Sequence, residues 1–335
     1  MNIAILGAGA WGTALAVSLA PRHRVTLWAR DPAQVAAMAA SRENQRYLAQ
    51  ITLPDALQLT ADLDNVLAGF EPAARPQIIL LALPISALRA ALRRIAQLPQ
   101  PVAVIWACKG FEADTGQLPH QVAGETLPSA FPRGVLSGPS FALEVGRGLP
   151  TALTLAASDG EFARRTAQSL HHARLRIYSC TDVTGVEVGG AVKNVLAIAA
   201  GISDGLGFGH NARAALISRG LAEMKRLGLK LGGSAETLAG LTGAGDLILT
   251  CTGDLSRNRQ VGMALAQQQA LPDILQRLGH VAEGVYTVRE VHRMAERLQV
   301  TMPICAAVYR VLYEQMPAAN AVEELLSRVP NSEFT

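Results

Sequence analysis

The sequence predicts an α/β domain built on a parallel sheet, followed by an all-α domain. Three observations carry this. A glycine turn, Gly7-Ala8-Gly9-Ala10-Trp11-Gly12, joins an apolar run to a helix-forming one. Short continuous apolar runs, QIILLAL at 77–83 and VAVIWA at 102–107, recur between helical stretches. Parallel strands covered on both faces read this way. From about Thr181 strand signals nearly vanish and helical segments continue to the end.

The elements follow in order. NIAIL at 2–6 is a strand that stops at the glycine turn. Residues 13–20 favour helix, Pro21 follows, and RVTLW at 24–28 is a second strand, so a βαβ unit opens the chain. QIILLAL ends at Pro84, residues 85–97 read as helix, and VAVIWA leads to Lys109-Gly110. Weaker strands fall at 134–136 and 151–156, a helix at 161–173, and a last strand, LRIYS, at 175–179. Helices are expected over 183–203, 211–227, 234–240, 257–269, 285–298, 303–315 and 319–328. The domains are therefore set at 1–180 and 181–335.

Composition excludes several classes. The chain has 335 residues, half of them apolar and 17% charged, which suits two folded domains. A net charge of +3 without blocks of like charge gives no footprint for nucleic acid. No uninterrupted apolar run reaches the roughly 20 residues of a membrane span. The opening MNIAILGAGAWG lacks a basic leader region and is not read as a targeting signal. Cys108, Cys180, Cys251 and Cys305 are scattered, as expected in a reducing cytoplasm. No metal-ligand spacing is present, so metal-free acid–base chemistry is expected.

The glycine turn has the G-x-G-x-x-G pattern in its diagnostic place, after a strand and opening a helix. Gly7 allows the tight turn, Gly9 lets the backbone approach a pyrophosphate, and Gly12 lets helix pack on strand. The first domain is therefore read as dinucleotide-binding. The second strand ends Trp28-Ala29-Arg30-Asp31. Arg30 stands where a 2′-phosphate would sit and favours NADP, while Asp31 keeps NAD open. Lys109, just past a buried strand, reads as a ligand group or as an ordinary surface lysine. SGPSFALEV at 137–145 places Gly138 and Ser140 in a turn that offers donors to a ligand.

VGGAVKNVLAIAAG at 188–201 raises a sharper question, because Lys193 is its one charge. One turn away lie Gly189, Gly190, Leu196 and Ala197, three of them tiny, which leaves space for a substrate beside the lysine stem. Lys193 is then an acid–base group, or else a lysine whose stem packs while its head reaches water. Asp246, after Gly243-Ala244-Gly245, either caps a helix or holds Lys193 by a charged hydrogen bond. Ser256-Arg257-Asn258 precedes a helix, where a cap and a guanidinium suit a phosphate dianion, or a solvated arginine.

Taken together these stretches resemble the bacterial NAD(P)-dependent glycerol-3-phosphate dehydrogenases over nearly the full length. The resemblance rests on GAGAWGTALA (7–16), WACKGFE (106–112), SGPSFALEV, the block from Gly185 to Met224, LTGAGDLILTC (241–251) and SRNR (256–259). It implies a Rossmann-like domain followed by a helical domain like that of 6-phosphogluconate dehydrogenase, the latter carrying substrate binding and catalysis. It implies interconversion of sn-glycerol 3-phosphate and dihydroxyacetone phosphate, hydride carried by NAD(P), and a product for phospholipid synthesis. Lys193 would be the proton acceptor. Lys109, Gly138, Ser140, Asp246, Ser256, Arg257 and Asn258 would line the substrate. Trp11, Arg30, Lys109, Ala142, Arg257, Val281 and Glu283 fall at cofactor positions. Ala10 departs from the serine common there. A homodimer is one option for assembly. The alternatives are a related reductase of 2- or 3-hydroxy acids and a dinucleotide sensor without turnover.

Overall fold

Alternate residues of the first strand face opposite layers. Ile3 and Ile5 enter one apolar cluster, Ala4 and Leu6 another. This is why the buried strands read as unbroken apolar runs. The computed structural model describes residues 1–68, 77–278 and 282–327, and the chain divides into two units, Met1–Glu187 and Val188–Thr335.

The first unit runs β1 (Asn2–Leu6), α1 (Ala10–Leu19), β2 (Arg24–Trp28), α2 (Pro32–Ser41), β3 (Glu43–Asn44), β4 (Leu48–Thr52), β5 (Gln58–Thr60) and α3 (Leu63–Ala68). It continues with β6 (Gln77–Leu81), α4 (Ile85–Ile95), β7 (Ala103–Trp106), α5 (Pro119–Thr126), β8 (Arg133–Ser137), α6 (Ala142–Gly146), β9 (Thr151–Ala156), α7 (Gly160–Leu170) and β10 (Leu175–Cys180). Its main sheet has the order β10-β9-β8-β7-β6-β1-β2-β5. The stretch β5-β2-β1-β6-β7-β8 is parallel and doubly wound, with the direction of winding reversing between β1 and β6. Ligands bind outside the carboxyl ends of strands at such a reversal. One layer packs α1 and α7 on the sheet through Leu15, Leu19, Phe162 and Leu170, and the other packs α4 and α5 through Leu88, Leu92, Ile95 and Val122.

The sheet is not wholly parallel. β9 pairs with β8 antiparallel and with β10 parallel. A parallel return needs a crossover past the whole sheet. Here the connection holds only the short α6, which packs on α1 through Val145 beside Ala14, so the chain re-enters from the end it left. The sequence pattern also does not announce α2, α3, α5, α6 or the β3–β4 hairpin. It places the start of the first helix at 13, whereas α1 begins at Ala10.

The second unit is helical: α8 (Val183–Gly205, shared with the first unit), α9 (Gly209–Lys230), α10 (Ala235–Ala239), α11 (Asp246–Thr252), α12 (Arg257–Ala266), α13 (Leu271–Leu278), α14 (Glu283–Leu298), α15 (Pro303–Tyr313) and α16 (Ala318–Leu326). By length and composition α8 is apolar enough to cross a membrane, despite the charges of Glu187 and Lys193. That apolar window is entirely buried in the protein, so its hydrophobic surface serves the core.

The division between units falls inside α8, whereas the change of pattern in the sequence lies near 180. Glu187 explains the difference. Its carboxylate accepts from Trp106 Nε1 at 2.7 Å and the His120 backbone N–H at 2.9 Å, and meets His120 Nδ1 at 2.6 Å. These bonds tie the start of α8 to β7 and α5. Burial pushes the Glu187 carboxyl above its usual range, against the pull of His120 and Trp106. Glu187→Ala leaves the buried Trp106 Nε1–H and the half-buried His120 N–H without their acceptor, an unpaired buried donor costing about 1–3 kcal/mol. A loss of about 2–4 kcal/mol is expected in denaturant unfolding followed by tryptophan fluorescence. A change under about 0.5 kcal/mol would show that Glu187 does not secure this junction.

Candidate active site

In the first unit the glycine turn is built by close packing. Gly7 has φ +114°, and a Cβ there would lie 2.4 Å from the Ala82 carbonyl oxygen of the strand-ending loop after β6. A Cβ on Gly12 would lie 1.9 Å from the Gly7 oxygen. Neither position tolerates a side chain. Gly9 differs, because nothing lies within 4 Å of its Cβ position. It precedes α1 and supplies no side-chain cap, so the first N–H groups of that helix are left to a ligand. A pyrophosphate fits this open glycine and helix terminus. Ala10 and Trp11 form the first turn of α1, with Trp11 packed against the cluster of Ala14, Leu48, Ile51 and Val145.

The other first-unit candidates follow the carboxyl ends of β2, β7 and β8, on the same side of the sheet as the glycine turn. Arg30 is exposed and has no hydrogen-bond or ion-pair partner among the described residues. Its neighbour Asp31 is occupied, since its Oδ1 accepts from Ala33 N at 2.9 Å and caps α2. Lys109 is half-buried, next to Gly110 at φ +110°. Gly138 has φ +136°, and Ser140 Oγ donates to its carbonyl at 2.9 Å. Ala142 starts α6.

In the second unit Lys193 is 7% exposed and Asp246 1%. The Lys193 ammonium donates to Asp246 Oδ1 and, at 2.9 Å, to Thr250 Oγ1. Thr250 in turn donates to the Asp246 backbone oxygen at 2.6 Å. The head is therefore held inside the protein, unlike that of a lysine extended to water. Asp246 opens α11 without capping it, and its carboxylate goes to the lysine. Below them Cys251 is inert, because burial pushes its thiol up to about 12.

The backbone explains the meeting. Leu241–Gly245 forms a wide π-type turn ahead of α11, a rare geometry. A Cβ on Gly189 would lie 2.5 Å from the Thr242 oxygen in that turn. The sequence pattern assigns the space at Gly189 to a substrate; the space is filled by chain. The close approach sets Asp246 against Lys193.

Next on α8, Asn194 Oδ1 accepts from Asn258 Nδ2 at 3.0 Å, and Asn194 Nδ2 donates to Glu283 Oε2 at 3.3 Å. Asn258 Oδ1 accepts the Gly284 N–H at 3.0 Å. Amide side chains thus lock α8, α12 and α14 together beside the lysine. Ser256 caps α12 by accepting from Arg259 N at 3.2 Å. Arg259 is buried on Asp204 and Asp254 and belongs to the framework. Arg257 is exposed, with no partner among the described residues. Val281 lies outside the described residues.

Thr250 and Asn194 do not stand out in the sequence. Thr250 sits four residues after Asp246, a spacing that puts both on one helix face. Asn194 has no local signal, because its partners lie on distant helices.

The comparisons bear on the whole chain. Models described as NAD-dependent glycerol-3-phosphate dehydrogenase N-terminus and C-terminus match residues 2–163 and 182–323. A relative named glycerol-3-phosphate dehydrogenase [NAD(P)+] from Nitrosospira multiformis is 59% identical over 338 residues, covering 100% of both chains. One of the same name from Thiobacillus denitrificans is 56% identical, again over 100% of both. The crystal structure of glycerol-3-phosphate dehydrogenase from Coxiella burnetii matches with TM-score 0.92 at 42% identity, over 98% of this chain and 99% of that one. The yeast enzyme matches with TM-score 0.80 at 28% identity, over 98% and 99%. By sequence along its entire length and by fold, this chain belongs to the NAD-dependent glycerol-3-phosphate dehydrogenase family.

Proposed function

We propose that the chain interconverts dihydroxyacetone phosphate and sn-glycerol 3-phosphate with NAD(P), using Lys193 as its proton carrier. The buried Lys193–Asp246–Thr250 cluster is the observation that carries the assignment. Bound NAD(P) supplies or accepts the hydride. In the reducing direction the Lys193 ammonium donates a hydrogen bond to the substrate carbonyl and gives up its proton as the C2 oxygen becomes a hydroxyl. In the oxidising direction the neutral amine takes that proton back. Asp246 and Thr250 orient Nζ and compensate its charge, so little reorganisation accompanies the transfer.

Arg257, unpartnered among the described residues at the start of α12, binds the substrate phosphate, and the N–H groups behind the Ser256 cap add to the attraction. Lys109, Gly138, Ser140 and Asn258 complete the substrate side. The turn from Gly7 to Gly12 with Ala10 and Trp11 holds the pyrophosphate, and Arg30, Ala142, Val281 and Glu283 take further parts of the cofactor. The backbone N–H of Ala10 serves the pyrophosphate without the serine hydroxyl. Arg30 is unengaged among the described residues while Asp31 caps α2, which supports a preference for NADPH. The product suits glycerophospholipid synthesis in the cytoplasm, and a homodimer is the assembly to test by light scattering. An absorbance assay at about 340 nm with dihydroxyacetone phosphate and each reduced cofactor is the direct test of the reaction.

Three outcomes follow for variants. Lys193→Met should lower kcat on the order of 10²–10⁴-fold. It also leaves the Asp246 carboxylate buried without its lysine, at about 3–5 kcal/mol in stability. Adding Asp246→Asn should restore part of the stability and none of the turnover. Turnover returning with stability would make the lysine a structural charge. Arg257→Ala should lower kcat/KM for dihydroxyacetone phosphate roughly 10²-fold and barely change the slow reduction of unphosphorylated dihydroxyacetone. An equal loss on both would move Arg257 off the phosphate. Arg30→Ala should raise KM for NADPH roughly tenfold, the scale of a single charged hydrogen bond to a phosphate, with little change for NADH. Equal shifts would remove Arg30 from the ribose.

A further inference from the structure

The β3–β4 hairpin, which the sequence does not announce, lies against the glycine turn and not within the main sheet. Its residue Asn44 is 1% exposed. The Asn44 Nδ2 group donates to the Ala8 carbonyl at 3.0 Å and to Thr13 Oγ1 at 2.7 Å. Gln34 Nε2, from α2, donates to the same Ala8 oxygen at 2.8 Å. A carbonyl only accepts, so the Asn44 amide must present its nitrogen there. Its Oδ1 is consequently buried with no hydrogen-bond partner among the described residues. A buried acceptor left unpaired is costly and needs a reason.

The reason lies in the turn. Ala8 stands between Gly7 and Gly9, and Thr13 is on the first turns of α1. Holding the Ala8 carbonyl back fixes the rotation of the peptide that joins Ala8 to Gly9, and so fixes the direction of the N–H groups that follow. The hairpin is itself anchored: Leu48 and Ile51 pack with Ala14 of α1 and Val145 of α6. One short hairpin therefore braces the glycine turn by polar bonds and the α1–α6 contact by apolar ones.

We propose that Asn44, seconded by Gln34, is a positioning residue for the dinucleotide. It pre-sets the glycine turn so that the backbone N–H groups are aimed at the pyrophosphate before the cofactor arrives. This rests on the reading of that turn as the NAD(P) site. Asn44 touches neither substrate nor cofactor and acts only through Ala8 and Thr13.

The test measures binding directly. NADPH is titrated into the full chain by its fluorescence, for the wild type and for Asn44→Leu, Gln34→Ala and Ile51→Ala. Asn44→Leu keeps the bulk and removes the donors, so Kd for NADPH should rise about tenfold. KM for dihydroxyacetone phosphate and kcat at saturating NADPH should stay within about threefold of wild type. Gln34→Ala, on the half-exposed face of α2, should raise Kd by about threefold, and it serves as the readout if Asn44→Leu fails to fold. Ile51→Ala loosens the same hairpin but keeps both amide bonds, so it should lower Tm and leave Kd within about twofold. An unchanged Kd in the folded donor variants overturns the proposal. So does a rise in Ile51→Ala equal to that in Asn44→Leu. A wild type that binds NADPH yet does not reduce dihydroxyacetone phosphate would defeat the substrate assignment while leaving this inference tested.

Discussion

A charged amine inside an apolar helix imposes conditions on everything around it. An unpaired ammonium at the position of Lys193 would cost several kcal/mol, so a carboxylate has to reach it. Asp246 reaches it because α11 begins at that residue, because the wide turn at Leu241–Gly245 runs ahead of it, and because Gly189 has no side chain to hold that turn away. Each condition is a backbone requirement derived from one charge. Gly189 is explained by helix-to-turn contact and by the pair that contact makes possible.

The two units meet their demands differently. In the second, the proposed proton carrier is a side chain, and a carboxylate and a hydroxyl of α11 fix it. In the first, the groups proposed to hold the cofactor are backbone N–H donors at a helix start, so precision has to come from peptide orientation. Gly7 and Gly12 permit the geometry, and polar side chains from outside the turn hold it. The sequence motif records the permission but not the restraint, which comes from residues more than one element away.

That distinction describes what is legible in the sequence. The central strands are, since burial on both faces leaves NIAIL and QIILLAL with nothing polar after their first residues to confuse the pattern. Lys193 is legible as an anomaly, and Asp246 as a residue with two possible duties, one of them to hold that lysine. The hairpin is not, because LAQIT is apolar only at Leu48, Ala49 and Ile51 and its partner strand has two residues. The reversal at β9 is not, because direction depends on where a connection travels. Nor is the π-type turn, whose glycines read as an ordinary loop until a second helix is placed beside them.

The reversal at β9 has a practical side. β9 and β10 run opposite to β1, β2, β7 and β8, so the chain leaving each of them heads away from the end of the sheet that carries the glycine turn. Ser158 and Asp159, just after β9, are exposed, and Asp159 caps α7. An affinity tag, a fluorophore or a surface tether inserted just before that cap would join the chain where it runs away from the glycine turn. The fold thus provides a handle for immobilising the molecule at an exposed point whose strand is directed away from the glycine turn.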